Sequence, residues 1–141
     1  MLRDNITVSV VMITYNHQEF IKEAIEGVLM QVCDFNVELI IADDNSPDQT
    51  EQVVLELIEN NKNGQWIRYV NHQPNKGMMP NFIWSLNECK GDFIALCEGD
   101  DYWVDDQKLQ KQVDFLKDNE DYTFSMGRVD VFNEHTGEQK K

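Results

Sequence analysis

The chain reads as an α/β protein: a mainly parallel sheet with helices on both faces. Three observations predict this. Short apolar runs alternate with segments of helical period along most of the 141 residues. The first run is nearly continuous and rich in β-branched residues, as a strand buried on both faces is. Three of the runs end abruptly in polar clusters, which suits a parallel sheet, where ligands sit beyond the carboxyl ends of the strands.

The elements follow in order. Val8-Ser9-Val10-Val11-Met12-Ile13 is the first strand. Phe20, Ile21, Ala24, Ile25, Val28 and Leu29 then share one face of a helix. Val37-Glu38-Leu39-Ile40-Ile41-Ala42 is the second strand. Asp48-Gln49-Thr50-Glu51 resembles a capping box that opens a second helix, striped by Val53, Val54, Leu57 and Ile58. Asn60-Asn61-Lys62-Asn63-Gly64 ends that helix, and Trp66-Ile67-Arg68-Tyr69-Val70 is a third, more polar strand. Pro80 suits the first turn of a third helix, with Phe82, Ile83 and Leu86 expected to face inward. Lys90-Gly91 turns the chain into a fourth strand, Phe93-Ile94-Ala95-Leu96-Cys97, which stops at Glu98. Leu109, Val113 and Leu116 place a helix over Asp106 to Lys117. Tyr122 to Phe132 alternates enough to be a strand, with a turn at His135-Thr136-Gly137. No repeat, low-complexity tract or linker interrupts this order, so residues 1–141 are expected to form one Rossmann-like domain.

Composition narrows the function. Hydrophobic residues make up 41%, enough for a packed core. Lys and Arg number 12 against 26 Asp and Glu, a net charge of −14. That argues against a nucleic-acid binder, which needs a basic face. The field also repels phosphates, unless a bound cation reverses the sign locally. Cys33, Cys89 and Cys97 are odd in number and match no metal or redox spacing, so reduced thiols in a cytosolic protein are expected. Met1 to Asn5 leads straight into a strand, so no signal peptide is expected, and no apolar stretch in these residues is long enough to span a membrane.

The chemistry concentrates in the three clusters: Thr14-Tyr15-Asn16, Asp43-Asp44-Asn45-Ser46 and Glu98-Gly99-Asp100-Asp101. In a parallel sheet all three lie at one edge and can converge on one ligand. Three carboxylates around a glycine repel one another, and a hard divalent cation relieves that cost because it takes several oxygen ligands. The pattern points to metal-assisted binding of a phosphorylated ligand. Plainer readings stand beside it. The acidic cluster could be a solvated turn, and Asp43 or Ser46 could form an Asx-type turn that starts a helix. Tyr15 could be a rim aromatic, Asn16 a turn residue, Lys76 a solvated loop charge and Gly77 a backbone turn. Tyr102 and Trp103 are expected to pack the loop, and Met78 and Met79 to fill core or loop space. His17, His72 and His135 lack ligand spacing and are expected at the surface or at caps.

Val10-Val11-Met12-Ile13-Thr14-Tyr15-Asn16, Ile40-Ile41-Ala42-Asp43-Asp44-Asn45-Ser46, Asn75-Lys76-Gly77, Lys90-Gly91-Asp92-Phe93-Ile94-Ala95-Leu96 and Glu98-Gly99-Asp100-Asp101 together resemble the nucleotide-binding half of a family 2 inverting glycosyltransferase with the GT-A fold. The resemblance covers nearly the whole chain. It implies that Thr14 and Tyr15 lie against the nucleotide base, with Asn16 in the same loop. It makes Asp44 the acid that accepts a hydrogen bond from the base, with Asp43 beside it. Glu98-Gly99-Asp100 takes the place of the DXD motif. Asp100 then binds an Mn²⁺ or Mg²⁺ ion that bridges the donor diphosphate. Glu98, where Asp is usual, stands next to the ribose and the metal. Asp101 acts through the metal's water shell or braces the loop, and Lys76 reaches a phosphate. Gly99 lies among the nucleotide-sugar contacts.

The implied reaction moves a sugar from a nucleotide-diphosphate sugar, expected to carry uracil, to an acceptor hydroxyl of a glycan or lipid-linked molecule. The cation stabilises the diphosphate leaving group, and a carboxylate general base acts on the acceptor. That base is expected beyond Lys141, in an acceptor half that related enzymes carry. The expected location is cytoplasmic, with peripheral attachment at the inner membrane face and homodimerisation left open. A nucleotidyltransferase is disfavoured because Thr14-Tyr15-Asn16-His17 lacks glycine. A receiver-like regulator is disfavoured because the first strand does not end in acids. A nucleotide-binding module without turnover remains an alternative.

Overall fold

The computed structural model describes residues 6–133 and 136–140. The chain runs β1 (Thr7–Thr14), α1 (Ile21–Leu29), β2 (Asn36–Asp43), α2 (Thr50–Asn60), β3 (Ile67–Asn71), α3 (Met78–Glu88), β4 (Phe93–Leu96) and α4 (Lys108–Asp118). A single 3₁₀ turn, Gly64–Trp66, leads into β3. The sheet has the order β3-β2-β1-β4 and every pairing in it is parallel.

The register sorts the side chains into two layers. Val8, Val10 and Met12 of β1 and Val37, Leu39 and Ile41 of β2 point to one face. There they pack with Ile21, Ala24, Ile25, Val28 and Leu29 of α1, Val54 and Leu57 of α2, and Leu109 and Val113 of α4. These residues are all buried and form the core. Gln31, buried just past α1, ties α4 to this layer. It donates to the carbonyls of Gly27 (3.2 Å) and Asp105 (2.8 Å) and accepts from the Leu109 amide (3.0 Å). It thus caps α4 from the segment that follows α1, because Gln107 at the N-cap makes no side-chain cap bond.

On the opposite face α3 lies over β1 and β2. Its buried residues are Asn81 and Ser85, not the bulky ones expected. Phe82 and Leu86 are half-buried and Ile83 is 53% exposed. The helix approaches the sheet closely enough for Asn81 Nδ2 to donate to the Ala42 carbonyl at 2.8 Å, so small polar side chains take the inner positions. Ile94 and Leu96 of β4 share this face with Ser9 and Val11, beyond the reach of α3, and are half exposed.

Two other expectations are corrected. Asp48 does cap α2, accepting from the Thr50 amide (3.0 Å) and hydroxyl (2.6 Å), but its second oxygen takes the Gln18 amide (3.0 Å). The bonds come from two residues on and from the β1–α1 loop rather than from a capping box. The strand expected over Tyr122 to Phe132 shrinks to β5 (Val131–Asn133), paired antiparallel with β6 (Glu138–Lys140) around a turn at Thr136-Gly137. Residues 122–130 are mostly exposed and belong to no ladder; alternation alone does not make a strand without a partner for its amides and carbonyls. His135 lies outside the described residues. Among the described residues no helix is long and apolar enough to cross a membrane.

Candidate functional site

The carboxyl ends of β1, β2 and β4 meet at one edge. Thr14 and Asp43 are register partners and both are buried. The ladder continues past the strands: the Asp44 amide donates to the Thr14 carbonyl (3.0 Å), the Cys97 amide to Val11 (3.0 Å) and the Gly99 amide to Ile13 (3.0 Å). These bonds bring all three polar clusters together.

Asp43 has no exposed surface. One carboxylate oxygen accepts from the Ser46 amide (2.8 Å), closing an Asx-type turn, and the other from the Tyr69 hydroxyl (2.8 Å). Burial, together with this bond, pushes the Tyr69 phenol well above its ordinary range. The Ser46 hydroxyl in turn accepts the Asn16 amide at 2.9 Å, which joins the β1 and β2 loops. Asn16 and Asn45 both have positive φ, 60° and 65°. Asn is one of the few residues besides Gly that adopt this conformation readily, so both asparagines shape the turns.

Asp44 is 3% exposed. Its carboxylate accepts from the Lys76 amide (2.6 Å) and the Gly77 amide (2.8 Å), and its carbonyl takes Asn75 Nδ2 (2.7 Å). Asp44 therefore holds the Asn75–Gly77 loop against the edge. Gly77 is at φ 90°, which allows the loop to turn into α3. The side chains of Lys76 and Tyr15 stand at the rim, both exposed.

The acidic cluster folds as a turn, with the Asp101 amide donating to the Glu98 carbonyl (3.1 Å). Glu98, Asp100 and Asp101 are exposed while Gly99 is buried. A β-carbon on Gly99 would meet Thr14 Oγ1 at 2.7 Å and His17 Nδ1 at 2.9 Å, so only glycine lets the loop lie on β1. Partial burial, and then the neighbouring Asp100 charge, raise the Asp101 carboxyl above the usual carboxylate range. Beneath the turn, burial and then Asp101 push the Cys97 thiol up to about 12.

His17, expected as a surface or capping residue, stands in this site. Its Nδ1 is 3.1 Å from Thr14 Oγ1 and its Nε2 is 3.9 Å from Asp100 Oδ2. Its place three residues after Thr14 was the available signal. Tyr69 was read only as a strand residue; its tie to Asp43 had none, because the two lie on different strands.

The donor set can be tested against a divalent cation. Among the described residues no group of three or more His, Cys, Asp or Glu is arranged to hold a metal ion. Glu98, Asp100 and Asp101 thus do not form a three-ligand cage. They do offer exposed carboxylates beside one another, and the Asp100 charge, which adds to burial in raising the Asp101 carboxyl, is a like-charge cost that a cation removes. Mg²⁺-type ions are commonly held by one or two carboxylates plus ligand phosphates, and the residues fit that mode.

The family model described as glycosyl transferase family 2 matches residues 9–141. The chain belongs to this family. The WfgD glucosyltransferase of Escherichia coli, named for UDP-Glc and a GlcNAc-diphosphoundecaprenol acceptor, is 30% identical over 133 residues, 94% of this chain and 49% of its own length. An uncharacterized protein of Mycobacterium tuberculosis is 41% identical over 126 residues, 89% of this chain and 36% of its own length. Among solved structures, TarS of S. aureus (residues 1–349) in complex with UDP-GlcNAc superimposes with a TM-score of 0.67 at 27% identity, over 81% of this chain and 32% of that TarS fragment. The mannosyltransferase PcManGT of Pyrobaculum calidifontis reaches 0.71 at 22% identity, over 82% and 33%, a likeness of fold. This family 2 chain thus has the N-terminal half of the GT-A fold, and it spans less than half the length of each of these relatives.

Proposed function

We propose that residues 1–141 form the donor-binding unit of a glycosyltransferase that moves a sugar from a nucleotide-diphosphate sugar to an acceptor hydroxyl with inversion. The observation that carries this reading is the convergence of three strand-end clusters on one edge, with the half-exposed Asp100 carboxylate next to the Thr14–Gly99 contact. Uridine is the proposed base, since the names of WfgD and of the TarS complex both carry UDP-sugars.

In this reading Thr14, Tyr15 and Asn16 face the nucleoside, with the exposed Tyr15 ring as the stacking surface. Asp44 supports the base from beneath through the loop it grips, and its oxygens retain lone pairs for one further bond. Asp43 keeps the edge in shape. Lys76 reaches over the rim towards a phosphate. Asp100, flanked by Glu98 and Asp101, would hold Mn²⁺ or Mg²⁺, which neutralises charge on the leaving diphosphate. Gly99 keeps that loop close to the base pocket. The general base and the acceptor contacts are proposed to lie outside the residues named here. The acceptor is proposed as a glycan or lipid-linked saccharide, and the place of action as the cytoplasm or the inner membrane face.

Calorimetric titration of UDP, GDP and dTDP, each with and without Mn²⁺, tests the reading. The expected outcome is Mn²⁺-dependent binding of UDP that Asp100→Ala weakens at least ten-fold, about 1.4 kcal/mol. Binding that ignores both Mn²⁺ and the substitution would remove Asp100 and the cation from the proposal.

A further inference from the structure

We infer that His17 is a positioning residue that sets the direction of the Asp100 carboxylate towards an incoming diphosphate and its cation; the inference rests on the donor-site reading above. The residue is held at its backbone and at one ring nitrogen. Its backbone amide donates to Thr50 Oγ1 (3.2 Å), and that hydroxyl is itself fixed on Asp48 Oδ1 (2.6 Å). Phe20 packs edge-on against the imidazole, with centroids 6.5 Å apart. Nδ1 lies at hydrogen-bond distance, 3.1 Å, from the buried Thr14 hydroxyl. The missing side chain of Gly99 makes room for this arrangement, since a β-carbon there would stand 2.9 Å from Nδ1. What remains is Nε2, facing Asp100 Oδ2 at 3.9 Å.

The plainer role does not need an imidazole. His17 begins α1 through its carbonyl, which accepts the Phe20 (2.9 Å) and Ile21 (2.8 Å) amides, and any residue supplies a carbonyl. The ring instead gives the acidic turn a fixed neighbour. Asp100 is half exposed, and among the described residues His17 is the only basic side chain within ion-pair distance of it. A carboxylate free to rotate in a surface turn must be ordered when the ligand binds, and a neighbour that selects one rotamer beforehand lowers that cost. When the Thr14 hydroxyl donates to Nδ1, Nε2 carries the hydrogen, because the bond made by one ring nitrogen sets the state of the other. Nε2–H then faces Asp100 across 3.9 Å, beyond hydrogen-bond distance, and donates to that carboxylate, or to a phosphate oxygen, only when it moves closer.

Two measurements on the full-length protein test this, with the variants His17→Ala, His17→Gln and Asp100→Asn. Nitrogen NMR of the ligand-free protein should show the Nε2–H form of His17, with ring resonances that move in Asp100→Asn. Electron paramagnetic resonance titration of Mn²⁺ in the presence of UDP should show about ten-fold weaker Mn²⁺ binding in His17→Ala. Metal-free UDP binding should be unchanged, and His17→Gln should recover most of the loss because it restores a donor. His17 resonances blind to Asp100→Asn would overturn the inference. So would an equal loss of Mn²⁺ and metal-free UDP affinity in His17→Ala, which marks a merely structural ring. Wild-type protein that binds neither UDP nor Mn²⁺ would instead sink the donor-site reading, and the NMR result would still decide whether His17 holds Asp100.

Discussion

Gly99 shows how finely single residues set this edge. The β-carbon of an alanine would stand 2.7 Å from Thr14 Oγ1, closer than real contacts allow, so the acidic turn must lift from β1. Gly99→Ala is expected to destabilise the fold by about 1–3 kcal/mol, the usual range for overpacking. It should also weaken UDP binding in the same calorimetric titration. Full retention of both would show that the turn yields without affecting the site. The glycine and its three acidic neighbours were legible in the sequence as a cluster, but the collision partners were not. The same holds for Asp43 and Asp44. Their position after a strand was readable, yet which of their oxygens are already engaged depends on Tyr69, Lys76 and Gly77, which arrive from later elements.

Among the elements, α3 departs furthest from expectation. Phe82, Ile83 and Leu86 look like an apolar stripe, but the face turned to the sheet carries Asn81 and Ser85. Removing the buried Asn81 amide leaves the Ala42 carbonyl without its 2.8 Å bond, so Asn81→Ala should cost about 1–3 kcal/mol in chemical denaturation. Ile83→Ala should lie within about 0.5 kcal/mol of the parent, as surface changes do. The reverse order would mean that α3 is rotated relative to this description. Periodicity located the helix because spacing along the chain is a local property. It misjudged the facing side because that depends on how closely the helix approaches the sheet. The α4 cap was hidden for a related reason, since Gln31 lies more than a helix away in sequence.

For the whole molecule, burial makes several groups hold their protons more tightly when folded. Cys97 is pushed up to about 12 and Cys33 to about 11, both from an ordinary 9.0 and both first by burial. Cys89 and Tyr69 shift in the same direction. Each contributes stability that is complete below its unfolded value and is lost as pH rises, because above that value the unfolded chain gives up protons that the folded one keeps. The melting temperature should therefore fall as pH rises from about 8 to about 11, and Cys97→Ala should flatten that fall. An unchanged slope in the variant would show that Cys97 ionises without opening the core.

By itself the sequence determined the alternation of strands and helices, the parallel sheet, the three polar clusters at its edge and, through their order, the family. These follow from local periodicity and from motifs a few residues long. Only the tertiary structure decided that Asp43 and Asp44 are buried and bonded, that α3 turns small polar residues inward, that β4 is half covered, and that His17 stands between Thr14 and Asp100. Desolvation and hydrogen-bond partners are set by residues far apart in the chain, and spacing along a sequence carries no measure of that distance.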